Sequence, residues 1–169
     1  MKDLGHLNYF LGLEITHFTY GLYITQSKYA SKFLSRARFT NSKTVDTPVE
    51  FNAHLTPSGG KPLFNPSLYR CLVSSLVYLT VTRSDFSYVV HQVSQYLSAP
   101  WSTHYAAVLR ILRYLKGTLF YGLFYSTQSP FILRAFSNAN WVGDPTNHKF
   151  TTAYCFLLNS SLISWWSKK

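Results

Sequence analysis

A chain of 169 residues has room for one ordinary domain, or for two small pieces of a larger one, and excludes several full domains. Its 47% apolar and 13% charged residues exclude a disordered chain, and its 18% aromatic content exceeds what a core of this size uses, so exposed rings are expected, covered by a missing neighbouring domain or stacked on bases. Sixteen Lys and Arg against six Asp and Glu give +10, which favours an anionic partner, nucleic acid or an acidic membrane surface; between Phe51 and Lys169 only Asp85 and Asp144 are acidic, too few for a two-metal nuclease or polymerase centre.

Residues Tyr9 to Thr25 read as a β-hairpin, with its turn at Thr19-Tyr20-Gly21 and Gly21 supplying a positive φ. A short amphipathic helix follows, capped by Ser27, with Tyr29, Ala30, Phe33, Leu34 and Ala37 on one side and Lys28, Lys32, Arg36 and Arg38 elsewhere. The stretch from Thr44 to Pro66 holds four prolines and two glycines and marks a loop or linker. Asn65 as N-cap and Pro66 in the first turn open a helix carrying Leu68, Leu72, Leu76 and Leu79.

A further helix has Ser84 as N-cap, Asp85 near the dipole, and a stripe of Phe86, Val89, Val90, Val93 and Leu97 ending before Pro100. The last helix runs from Ser102 to Lys116, with Ala107, Val108, Ile111, Leu112 and Leu115 inward and Gly117 as its stop. On it Arg110, Arg113 and Lys116 recur every three residues opposite the apolar stripe, a ridge able to follow a phosphate backbone, although a merely solvated basic face has the same spacing. Beyond Leu119 come short alternating runs, 121–125, 131–137, 151–158 and 162–166, the start of a mostly antiparallel sheet with one face uncovered. The chain thus reads as α+β in three segments: 1–64, 65–118 and 119–169.

Chemistry-bearing motifs are sparse. Cys71 and Cys155 stand alone and read as buried reduced thiols; the six histidines show no metal-ligand spacing; no nucleophile elbow or phosphate-binding glycine loop occurs. The start carries no apolar leader and no run is long enough to span a membrane, so an intracellular setting without membrane contact is expected. Asn138 and Asn140, two apart in a strand-like run, would share one face; as aspartates they would form half of a metal site.

An ordered series of motifs is more specific than any of these. Lys2-Asp-Leu-Gly-His-Leu-Asn-Tyr-Phe-Leu-Gly-Leu-Glu-Ile15, Thr25-Gln-Ser-Lys-Tyr29, Asp46-Thr-Pro48, Tyr69-Arg70, Tyr78-Leu-Thr80 with Thr82-Arg83, Arg110-Ile-Leu-Arg-Tyr-Leu-Lys-Gly-Thr118, Ser137-Asn-Ala-Asn-Trp-Val-Gly-Asp144 and Ile163-Ser-Trp165 follow one another in this order. Together they resemble the Pol polyprotein of copia-type LTR retrotransposons over essentially the whole chain. The resemblance implies the end of a reverse transcriptase, with a primer-gripping hairpin near Tyr9 to Ile15 and thumb and connection helices, and then the start of a ribonuclease H domain. The polymerase fingers and palm and the rest of ribonuclease H would lie elsewhere in the family's polyprotein, which makes this a truncated stretch. It also implies an RNA–DNA hybrid as the partner of Arg110, Arg113 and Lys116.

The same resemblance implies lost catalysis. The family's paired polymerase aspartates lie upstream of Met1, and Asn138 stands where its first ribonuclease H aspartate, a Mg²⁺ ligand, is usual, with Asn140 replacing the second. Ser84 in place of proline, Ser74 and Ala153 in place of glycine, and Trp166 in place of a small polar residue point to relaxed constraint. No metal or cofactor is therefore expected. The alternatives are a stand-alone basic nucleic-acid-binding protein and, behind it, a ribonuclease H completed by a partner chain.

Overall fold

The computed structural model describes residues 5–39, 43–51, 54–128, 130–140 and 151–168. It contains two antiparallel sheets and four α-helices, in agreement with an α+β chain. The first sheet has the order β1 (Tyr9–Phe10), β2 (Leu13–Phe18), β3 (Gly21–Thr25), β4 (Leu123–Ser126); the second has the order β5 (Leu133–Asn140), β6 (Thr151–Leu158), β7 (Ser161–Lys168). Between them in the chain lie α1 (Ser27–Arg36), α2 (Pro66–Leu79), a 3₁₀ turn at Ser84–Phe86, α3 (Ser87–Ser94) and α4 (Ser102–Gly117).

The N-terminal hairpin departs from its expected form in two places. Leu11 and Gly12 both take positive φ, 46° and 81°, and make a two-residue turn that splits the first strand into β1 and β2. Gly21, expected to supply the positive φ, does not; it is the first residue of β3, and its missing side chain admits β4. A Cβ there would lie 2.5 Å from the Tyr125 carbonyl oxygen and 2.6 Å from the Phe124 ring. β4 pairs along β3 from Gly21–Ser126 to Ile24–Leu123, so the run expected to open the second sheet completes the first one instead.

Asn65 caps α2 as its side chain accepts from the Leu68 N–H, with Pro66 in the first turn where no N–H is needed. α1 is capped differently. Ser27 lies inside the helix, and the cap comes from β2: the Glu14 carboxylate accepts from the Lys28 backbone N–H at 2.7 Å and from the Ser27 hydroxyl at 3.1 Å. A carboxylate at this end of the helix dipole is favourable and fastens sheet to helix.

One core joins the four helices. α1 contributes Ala30, Phe33 and Leu34; α2 contributes Tyr69, Leu72, Val73, Leu76 and Leu79; α3 contributes Val89, Val90 and Val93; α4 contributes Val108, Ile111, Leu112 and Leu115. Each fully buried aliphatic or Phe side chain contributes ~1.5–3 kcal/mol. Leu68, expected on the stripe of α2, is exposed, and Tyr69 takes its place. The proline-rich stretch also packs on this core: Val45, Val49, Leu55 and Leu63 lie against it, and Leu63 N–H donates to the Pro100 carbonyl. Cys71 is exposed and Cys155 half-buried, both free, contrary to the expected burial. Among the described residues no helix is long and apolar enough to cross a membrane.

In the second sheet the register places Tyr154, Phe156 and Trp166 on one face, their rings 5.4 and 5.9 Å apart, still partly exposed. β5 is one of the sheet's two outer strands, with Leu133 and Phe136 exposed on it. β7 lies against α3, and residues of α2, α3 and β7 line a groove of 770 Å³. The expected surplus of exposed rings is present: Tyr9, Phe10, Phe120 and Tyr121 are all more than half exposed.

Candidate nucleic-acid interface

The predicted ridge on α4 is split by what its members touch. Arg110 points to the proline-rich stretch: Nη1 donates to Glu50 Oε1 at 2.9 Å, Nε to the Thr47 carbonyl at 3.2 Å, and Nη2 to Thr47 Oγ1 at 3.0 Å. Its charge is therefore matched by Glu50, and its guanidinium clips the Asp46-Thr47-Pro48 segment to α4. Arg113, half-buried, has no hydrogen-bond or ion-pair partner among the described residues and lines a 380 Å³ cavity with Arg110, Glu50, His54 and Gln92. Lys116, half-buried, sits one turn further along and is engaged elsewhere. The helix thus brings Arg110 and Arg113 to one cavity, with Arg110 serving the fold.

The buried charge centre of the chain lies at Arg83 and Asp85. Arg83 is 3% exposed; its Nε and Nη2 make a forked pair with Asp85 at 2.9 and 2.7 Å, while Nη1 donates to the Thr118 carbonyl at 2.8 Å and Nη2 to Thr118 Oγ1 at 2.6 Å. Its guanidinium carbon also lies 4.9 Å from the Phe86 ring centre, 5.8 Å from that of Tyr114 and 5.4 Å from that of Tyr121. Tyr114 donates to Asp85 Oδ2 at 2.8 Å. Burial pushes the Asp85 carboxyl upward, but the bonds and charge of Arg83 and the Tyr114 hydroxyl outweigh it and hold the group below the usual carboxylate range. Burial, followed by the bond to and charge of Asp85, pushes the Tyr114 hydroxyl up to about 12.

This network is structural. It ties the segment after α2, the start of α3 and the end of α4, where a cation suits the helix dipole, into one body. The neighbouring motif residues act alike. Thr82 donates to Gln26 Oε1, Gln26 Nε2 reaches the Tyr78 carbonyl, and the Tyr78 hydroxyl donates to the Leu11 carbonyl in the first turn. Tyr69 donates to the Val93 carbonyl and Arg70 to those of Leu97 and Ser98. The signal for the Arg83–Asp85 pair was an acid two residues from an arginine in a region almost empty of acids.

His104, expected as an ordinary helix residue, is fully buried. Its Nδ1 accepts from the Trp101 backbone N–H at 3.0 Å, which leaves Nε2 to donate to the Thr56 carbonyl at 2.8 Å, so one neutral tautomer fits. Burial lowers its pKa, against the Thr56 bond, which acts the other way. Tyr96 stacks on the ring at 3.7 Å.

Asn138 lies in β5, exposed, opposite Ala153 of β6, which in turn faces Ser167 of β7. No carboxylate adjoins it across the strands, and among the described residues no three His, Cys, Asp or Glu side chains form a group that could hold a metal ion. Asn140 pairs with Thr151; the expected juxtaposition of its side chain with that of Asn138 lies outside the described residues, as does Asp144.

Comparison with known proteins brings in the family. An uncharacterized mitochondrial protein of Arabidopsis thaliana is 37% identical over all of this chain and 70% of its own length. The retrovirus-related Pol polyprotein from transposon RE2 of the same plant is 39% identical over the whole chain, and that from transposon TNT 1-94 of Nicotiana tabacum is 35% identical over 99% of it. The chain spans 12% and 13% of those two polyproteins. No family model and no solved structure matches it. With its full-length similarity and its motifs in family order, the chain belongs to the Pol polyproteins of copia-type retrotransposons.

Proposed function

We propose that this stretch of Pol holds nucleic acid, an RNA–DNA hybrid in the first instance, without catalysing polymerisation or cleavage itself. On this reading α1 to α4 form a thumb- and connection-like body, and β5 to β7 are the opening strands of a ribonuclease H-like sheet. The observation that carries the non-catalytic half is the environment of Asn138. A hard cation such as Mg²⁺ needs charged oxygen ligands, and among the described residues this position offers a neutral amide opposite Ala153, with Ser167 one strand further on. These residues do not fit the ion.

Support for the binding half is the net charge of +10; of the sixteen Lys and Arg, the described salt bridges engage Lys28, Arg83 and Arg110. Binding of that origin weakens steeply as salt rises, because phosphate contacts release counterions. Fluorescence anisotropy of a labelled RNA–DNA hybrid titrated with the full chain tests it. Saturable binding at low salt that is lost at high salt is the expected result; no binding at low salt would end this reading.

A further inference from the structure

We infer that the principal phosphate-contacting ridge of this chain is on α1, formed by Lys32 and Arg36 with the Ser35 hydroxyl, rather than on α4. The inference rests on the proposed nucleic-acid affinity and names the surface responsible for it. No acidic residue occurs between Glu14 and Asp46, a stretch that holds Lys28, Lys32, Arg36, Arg38 and Lys43. Glu14 is itself occupied at the start of α1, by the backbone of Lys28 and by its ammonium at 3.7 Å. Lys32 and Arg36 are exposed, with neither an ion-pair nor a hydrogen-bond partner among the described residues, whereas Arg110 is matched by Glu50.

Geometry adds to the charge. Lys32 and Arg36 are one helical turn apart, about 6 Å along the axis, so both cations project from one ridge. With Tyr29 and Ser35 they line a concavity of 360 Å³. Tyr29 is held there by the Tyr78 ring at 4.6 Å and Phe33 at 6.5 Å, and its hydroxyl and that of Ser35 supply the uncharged donors that phosphate and sugar oxygens accept. The opposite side of α1 is fixed in the core through Ala30, Phe33 and Leu34, at 2–3% exposure, so the ridge is rigid before it meets a ligand. The same burial argues against insertion into a membrane: an inserting helix needs an exposed apolar face, and α1 spends its apolar face on the protein.

The test compares salt dependences of hybrid binding by the full chain, measured by anisotropy between about 50 and 200 mM salt, for the wild type, K32A/R36A and R113A/K116A. Two lost phosphate contacts should lower the slope of log affinity against log salt by about 1.8, which near 0.1 M salt is an affinity loss of about 60-fold relative to a 1 M reference. The charge-keeping variant K32R/R36K should retain the slope, which separates charge from any loss of fold. A slope unchanged in K32A/R36A but reduced in R113A/K116A would overturn the inference and leave the proposed function standing. Failure of the wild type to bind at low salt would overturn both. A K32A/R36A chain that binds the hybrid normally but loses adhesion to phosphatidylserine vesicles would also overturn it, in favour of a membrane partner.

Discussion

Replacing Arg83 by Leu removes the four hydrogen bonds that join the segment after α2 to Asp85 and to Thr118 at the end of α4. Breaking a buried ion pair by deleting one partner costs ~3–5 kcal/mol, because the other charge stays behind unmatched. Here Asp85 keeps the Tyr114 hydroxyl and its side chain is 30% exposed, so water reaches the carboxylate and the lower end, about 3 kcal/mol, applies. That is a large share of the ~5–15 kcal/mol that holds a domain together. Urea unfolding followed by far-ultraviolet circular dichroism should show it: with a slope near 2 kcal/mol/M, the midpoint falls by about 1.5 M. Arg83→Lys should recover little, since an ammonium cannot fork to the carboxylate while also reaching Thr118. An R83L midpoint within about 0.3 M of the wild type, at unchanged slope, would refute the assignment of this pair as the tie between α2, α3 and α4.

Other consequences follow from single contacts. Gly21→Ala puts a Cβ against the Tyr125 carbonyl and the Phe124 ring and should cost ~1–3 kcal/mol in the same unfolding assay, with hydrogen exchange accelerated along β4. His104 is held neutral, so its folded pKa lies below the unfolded value near 6.5; its contribution is complete above that value and is lost as pH falls through the lowered one. The melting temperature should therefore drop on acidification below about pH 6.5, and drop less in His104→Asn, which lacks the titrating ring. Arg110→Ala removes a partly exposed pair with Glu50 and should cost no more than about 1 kcal/mol, while leaving hybrid affinity within about twofold of the wild type.

The helices were the most legible part of the chain because a packed helix writes its buried face into its own sequence. Val89, Val90 and Val93, and Val108, Ile111, Leu112 and Leu115, are buried as their spacing requires, and Asn65-Pro66 opens α2 by local chemistry alone. Strand existence was legible too, but strand partnership was not. The alternation in Leu123–Ser126 suits either sheet, and what assigns it to β3 is the bare backbone of Gly21, a hundred residues away in sequence. The same distance hid the fate of Arg110. Its position on the outer side of α4 follows from periodicity, whereas its bonds to Thr47 and Glu50 depend on how the proline-rich stretch folds back. His104 was missed because a buried histidine leaves no period; only its two backbone partners, at Trp101 and Thr56, give it away. The acid-poor run from Phe51 onward was the informative signal for the site, since it already limited what Asn138 could find around it.

The central claim, that this stretch holds a hybrid without cutting it, is tested most directly on one gel. An RNA–DNA hybrid labelled on the RNA strand is incubated with the full chain at low salt in Mg²⁺ and, separately, in Mn²⁺, and each sample is divided between native and denaturing electrophoresis. The account predicts a retarded complex on the native gel and intact RNA on the denaturing one. RNA cleavage that disappears in Asn138→Ala would contradict it.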